Sequence, residues 1–358
     1  MIATNKSSGS FWSRARKYRY RTVLIIAVFW TLIDVFMTLV TDLSHLRPLN
    51  NLLWRVFFVF GMSLIMGYLF VFTLKKMFRN FPLWINFLLK SLILLLSAFF
   101  MNFLVHFIEN KFILGISISA SVHKFAYEAI SGQWLLEKTI YWLVLFLFTQ
   151  LYIEINEKYS PGVFLDIILG KYFVPKVENR IVMFIDLKDS TPTAERMGHQ
   201  QYFLFIREFI YDVSLAIIEH NGRIYQYVGD EIVVSWFLSK KNISNCLKAV
   251  IESRKNLQRK SEFYRRNYNT VPEFRVGIHI GEVTVGEIGV IKKDLAMSGD
   301  TMNTTARIRS ACNELNQKFV VSAEFIKHSD LAEFQRESLG NVDLKGKTEE
   351  IELYALKI

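Results

Sequence analysis

Four apolar stretches crowd into the first 153 residues of this chain, near 22–41, 52–74, 83–108 and 135–153. Each runs to about 20 residues, and about 20 residues of helix cover the hydrocarbon thickness of a bilayer. Lipid tolerates only backbones whose amides and carbonyls are paired within the segment or around a closed barrel. Residues 22–153 are therefore expected to form an all-α transmembrane domain of four helices.

Flanking charge sets the expected orientation. Residues 1–21 hold Lys6, Arg14, Arg16, Lys17, Arg19 and Arg21 and no acid, and the connection between the second and third stretches carries Lys75, Lys76 and Arg79. Basic loops stay on the cytosolic side, so the N-terminus is cytosolic. Four crossings return the chain to the cytosol of a multi-pass cell-membrane protein. Asp34 falls inside the first crossing, where a lone charge is costly; Arg55 or Lys90 is its expected partner. Trp30, Trp54, Trp84, Trp134 and Trp142 read as interfacial anchors.

The net charge of +10 raises the question of nucleic acid. The basic cluster abuts an apolar segment, which points to anionic headgroups instead, and no nucleic-acid-binding module is present. The two cysteines, Cys246 and Cys312, have no metal-ligand spacing and suggest no disulfide framework.

Residues 154–179 form a connector. Ser160-Pro161 reads as an N-cap with proline at the first helical position, 163–169 is amphipathic, and Gly170 is a natural stop. Such a helix, continuing the fourth crossing, suits a coupling element; a passive tether is the alternative.

From 180 to 358 the composition is that of an ordinary globular domain. Periodicity predicts strands over 180–187, 223–228, 231–237, 274–280, 282–288, 319–322 and 350–356. Helices are predicted over 200–220, 243–264 and 300–313. The order is that of an α+β, ferredoxin-like sheet with additions. Two carboxylates stand at the ends of apolar runs: Asp186 closes Ile181–Asp186, and Asp230 sits on a Gly229-Asp230 turn between two strands. If those strands are neighbours, the acids converge at one end of the sheet, where oxygen ligands suit a pair of Mg²⁺ or Mn²⁺ ions. Downstream, Asn303 and Arg307 lie four residues apart on one helix face. The polar loop at Ser190 and Thr191 opens a helix and presents amides suited to phosphate.

These motifs, Phe184-Ile185-Asp186-Leu187, Val228-Gly229-Asp230-Glu231, Gly299–Arg307 and Leu344-Lys345-Gly346-Lys347, resemble in order and spacing those of the class III nucleotide cyclase catalytic domain. The resemblance covers residues 178–357. It implies a homodimer with active sites at the subunit interface. Asp186 and Asp230 of one chain would hold two metal ions per site; Asn303 and Arg307 of the other would position the ribose and steady charge on the α-phosphate. Amides near Ser190 and Thr191, with Lys345, would hold the outer phosphates. The ribose 3′-oxygen would attack the α-phosphorus in line, giving a 3′,5′-cyclic nucleotide and pyrophosphate.

The chain departs from the family pattern where the base is read. The family's adenylate cyclases usually carry Lys at the position of Gln226 and Asp or Thr at that of Ala296. Its guanylate cyclases usually carry Glu and Cys. Gln226 can donate and accept, so it can face either purine; ATP is the expected substrate and GTP the alternative. Two other readings compete. A diguanylate cyclase shares the Gly-Asp-Glu turn but needs glycine where Val228 stands and has no use for Asn303 and Arg307. A non-catalytic nucleotide-binding membrane receptor would not need both metal acids and the Asn/Arg pair.

Overall fold

The computed structural model describes residues 13–41, 49–74, 82–108, 110–111, 114–131, 133–158, 166, 169–291, 294–329, 335–344, 346–347 and 350–358. The chain divides into two compact units, Met1–Lys158 and Tyr159–Ile358.

The first unit is helical: Ser13–Thr41, Leu49–Tyr68 with a π-helical end at Leu69–Leu74, Leu83–Ile108, Ile118–Ser131 and Gln133–Lys158. Among the described residues, three helices are long and apolar enough to cross a membrane, at Arg19–Val40, Leu53–Thr73 and Leu88–Ile108. A fourth is not counted among them. The fourth expected stretch lies in Gln133–Lys158, a 26-residue helix within which Thr139–Ile153 is a shorter apolar segment. The helix Ile118–Ser131 was not expected; its amphipathic pattern lies inside what the sequence suggests is a loop.

Asp34 is buried and paired with Arg55. The guanidinium donates from Nε to Oδ2 at 2.9 Å and from Nη2 to Oδ1 at 3.0 Å. A two-pronged ion pair between the first two helices answers the cost of a charge at that depth. Trp30 and Trp142 are core residues and not interfacial anchors. Trp30 is fully buried, packs on Phe146 and Trp142, and donates from Nε1 to Thr149 Oγ1 at 2.7 Å. Burial of the indole N–H is tolerated because Thr149 satisfies it.

The connector helix expected at 160–169 lies largely outside the described residues. Its far end is tied down: the Asp166 carboxylate meets Arg223 at 3.2 Å and Lys171 at 3.5 Å.

The second unit is built on one eight-stranded sheet in the order β2-β3-β1-β4-β6-β8-β7, with β5 paired to β4. The strands are β1 Lys176–Leu187, β2 Arg223–Val228, β3 Glu231–Phe237, β4 Phe274–Ile288, β5 Asp294–Ser298, β6 Phe319–Ser322, β7 Gln335–Val342 and β8 Ile351–Lys357. Its period-two alternation is plain in β1. Ile181, Met183, Ile185 and Leu187 face a core shared with Phe209 and Leu247, whereas Val182 and Phe184 face a second core with Met302. The helices His199–Glu219, Lys240–Arg259 and Ser261–Tyr268 line the first face, and Asp300–Glu314 lies on the second.

Three expectations change. The helix predicted over 243–264 is two helices. The chain turns at Lys260, whose Nζ reaches the buried Asp212 carboxylate at 2.6 Å; Tyr264 OH donates to the same group at 2.8 Å. β5, β7 and the short helix Ala323–His328 were not foreseen. The two strands predicted around Gly281 are one continuous strand, β4.

Gly281 is there for a close approach. A Cβ on it would lie 2.4 Å from Thr301 Oγ1, and one on Gly277 would lie 2.4 Å from the backbone N of Arg309. Four residues apart on one strand, the two glycines let the helix Asp300–Glu314 lie flat on β4. Gly277→Ala gains about 0.4–1 kcal/mol by restricting the unfolded chain, but the backbone clash costs about 1–3 kcal/mol. A lowered melting temperature is expected; an unchanged or raised one would show that the helix seat is not tight.

Candidate active site

β1 and β3 pair antiparallel with Ile185 opposite Ile232, and β1 pairs with β4 so that Asp186 lies opposite Arg275. β2 and β3 are joined by the two-residue loop Gly229-Asp230, between the paired Val228 and Glu231. Gly229 takes φ +62, which suits the first central position of such a tight hairpin. Asp186 at the end of β1 and Asp230 in the adjacent loop therefore sit at the same edge of the sheet.

The local electrostatics favour a cation beside the two acids. Burial pushes the Asp186 carboxyl up to about 6; Arg309 opposes that shift and the charges of Asp230 and Glu231 add to it. Asp230 Oδ2 is buried with no hydrogen-bond partner. An orphaned carboxylate oxygen beside a second, reluctantly ionised acid fits a divalent metal. Among the described residues, no group of three or more His, Cys, Asp or Glu side chains could hold a metal by itself. Two carboxylates nevertheless suit Mg²⁺, which commonly completes its shell with water and substrate phosphate oxygens.

The helix Ser190–Met197 begins directly after β1. Asp189, at its N-cap, adopts the left-handed conformation with φ 54 and makes no side-chain cap hydrogen bond. The amides of Ser190 and Thr191 thus open the helix without a side-chain cap.

Asp300–Glu314 carries Asn303 and Arg307. Gly299 precedes it with φ +141, and Thr301 Oγ1 donates to Glu282 O at 2.6 Å, pinning the first turn to β4. Asn303 is exposed and Arg307 half-buried. A Cβ on Gly346 would come within 3.3 Å of Arg307 Nη2, so the guanidinium lies against that glycine. The Gly346-Lys347 loop is fastened to the same helix by the Lys347–Asp300 ion pair. Lys345 lies outside the described residues.

Among the described residues, Arg309 forms an ion pair with Asp186. Its Nη1 lies 3.2 Å from Asp186 Oδ2, while Nη2 and Nε lie 2.7 and 3.0 Å from Glu231 Oε2. Sequence reading missed Arg309 and Glu231. Their only signal was proximity to Arg307 and Asp230.

Gln226 is exposed on β2, and Ala296 pairs with Gly286 on β5. Their neighbours are joined, because the Met297 N–H donates to Tyr225 OH at 2.9 Å. The two positions thus belong to adjoining segments of one chain, and Ala296 brings no polar side chain.

A family model described as the adenylate and guanylate cyclase catalytic domain matches residues 174–358. The chain is 30% identical over 206 residues to Adenylate cyclase 2 of Rhizobium meliloti (strain 1021), covering 57% of each chain. It is 24% identical over 216 residues to an adenylate cyclase of Anabaena cylindrica, covering 56% of this chain and 42% of that one. It therefore spans only about half the length of these curated relatives. A solved bacterial light-regulated adenylyl cyclase shares the fold with a TM-score of 0.52 at 18% identity, over 60% of this chain and 62% of that one.

Proposed function

The chain belongs to the adenylate and guanylate cyclase catalytic domain family, and we propose that it is a membrane-bound cyclase converting ATP to 3′,5′-cyclic AMP and pyrophosphate at a homodimer interface. Asp186 and Asp230 would hold two Mg²⁺ or Mn²⁺ ions. Such ions supply Lewis acidity toward the ribose 3′-hydroxyl and neutralise phosphate charge. Amides at Ser190 and Thr191, with Lys345, hold the outer phosphates. Asn303 orients the ribose so that its 3′-oxygen faces the α-phosphorus. Arg307 offsets the charge that grows on the α-phosphate as the new bond forms and the bond to pyrophosphate breaks. Gln226 faces the base, and the segment at Ala296 closes the pocket beside it.

The observation that carries this reading is the division of one helix. Arg309 turns to the acids of its own chain, while Arg307 lies against Gly346. The two are about 200° apart around the helix, which supports a role for Arg307 toward acids on another copy. The choice of ATP over GTP is supported by the adenylate cyclases among its relatives and by an amide at 226 that can address adenine. Membrane insertion rests on the three long apolar helices. We place the N-terminus and the catalytic unit in the cytosol, with Thr139–Ile153 completing a fourth crossing.

The test is a product assay on the full chain in detergent with Mn²⁺ and ATP or GTP in parallel. Cyclic AMP and pyrophosphate are expected, with ATP the better substrate. Preferred cyclic GMP would reverse the assignment of the base. A cyclic dinucleotide, or no product from either nucleotide, would overturn the reading.

A further inference from the structure

Arg309 has two partners of unequal strength. It makes two contacts to Glu231, at 2.7 and 3.0 Å, and a single longer one to Asp186, at 3.2 Å. All three side chains are largely buried. Its backbone cannot retreat, because the helix is pressed against β4 at Gly277. The guanidinium is thus anchored on Glu231, with Nη1 reaching to within 3.2 Å of Asp186 Oδ2.

We infer that Arg309 is a positioning residue: a resident cation that holds Asp186 in place without metal, yields Asp186 Oδ2 when a divalent ion arrives, and stays fastened to Glu231 throughout. The inference rests on the reading of Asp186 and Asp230 as metal ligands. The anchored guanidinium competes with a metal for Asp186 only through its single longer contact, whereas an unanchored one would turn fully to Asp186 and compete more strongly. Glu231 therefore sets how readily Arg309 lets go. A lysine could not replace it, since one ammonium lacks the planar fork that spans two acids.

Two substitutions should move metal binding in opposite directions. The probe is Mn²⁺ with no nucleotide, added to the full chain in detergent micelles and read as loss of the free-ion paramagnetic resonance signal. Arg309→Gln removes the competitor and should tighten Mn²⁺ binding by roughly tenfold, the size, with opposite sign, of the smaller changes in metal affinity that follow when a supporting outer-shell group is lost. Glu231→Gln frees the guanidinium to stay on Asp186 and should weaken binding by a similar factor. In the Arg309→Gln background, Glu231→Gln should change little, because its effect acts through the arginine. Strictly additive effects would reveal a general field of charge and overturn the inference, as would weakening by both substitutions or no change from either. Metal-free melting curves check folding. If Arg309→Gln fails to fold, Arg309→Lys keeps the charge without the bridge and should tighten Mn²⁺ binding by a smaller factor; weaker or unchanged binding would overturn the inference. Failure of the metal reading itself looks different: wild type would take up no Mn²⁺ that is lost in Asp186→Asn/Asp230→Asn.

Discussion

On the proposed assignment, Asp186→Asn is expected to lower turnover of ATP by at least about a thousandfold while the protein stays folded and dimeric. Metal-supplied charge stabilisation is worth several kcal/mol, and each 1.36 kcal/mol is a factor of ten in rate. The same loss is expected for Asp230→Asn. Folding survives because neither carboxylate is a stabilising group. Burial holds Asp186 up to about 6, so its charged form is disfavoured where it sits. Asp230 Oδ2 makes no hydrogen bond that the substitution could remove. Arg309 keeps both contacts to Glu231 in the Asp186 variant. The checks are pyrophosphate release, light scattering for the dimer, and a melting curve. A variant that kept more than about a tenth of the activity would mean that other groups hold the ions.

Legibility from sequence tracked the range of the interaction. The Gly229-Asp230 hairpin was readable because a tight turn is fixed by local backbone preference. β1 was readable because its apolar run is buried on both faces. Gly281 was misread because a glycine inside an apolar run signals either a turn or a close approach, and only the helix seated on it decides which. β7 was missed because exposed Gln335, Arg336 and Glu337 give an edge strand little apolar alternation. The site divided in the same way. The acids and the Asn303/Arg307 pair were visible as spacings within short segments. Arg309 was not, because its partners lie about 80 and 120 residues upstream and meet it only when the helix crosses the sheet.

Mixing an Asp186→Asn chain with an Arg307→Ala chain restores about a quarter of wild-type activity. On the proposed reading, each site of a closed twofold dimer takes its acids from one chain and its arginine from the other. Either homodimer has two defective sites. The heterodimer gathers both defects into one site and leaves the other whole. With equal mixing about half the dimers are mixed, and half of their sites are intact. The control is Asp186→Asn mixed with Asp230→Asn. Both acids belong to the same chain's half-site, so every dimer carries a damaged metal pair at each site and activity stays lost. Mixing Asn303→Ala with Arg307→Ala fails for the matching reason, since both come from one helix. Rescue in the first mixture together with silence in the other two would sort the residues into two groups without a view of the assembled pair. Isolated heterodimers of the first mixture that show no activity would mean that Arg307 serves its own chain, and the division of the helix Asp300–Glu314 would have to be read the other way.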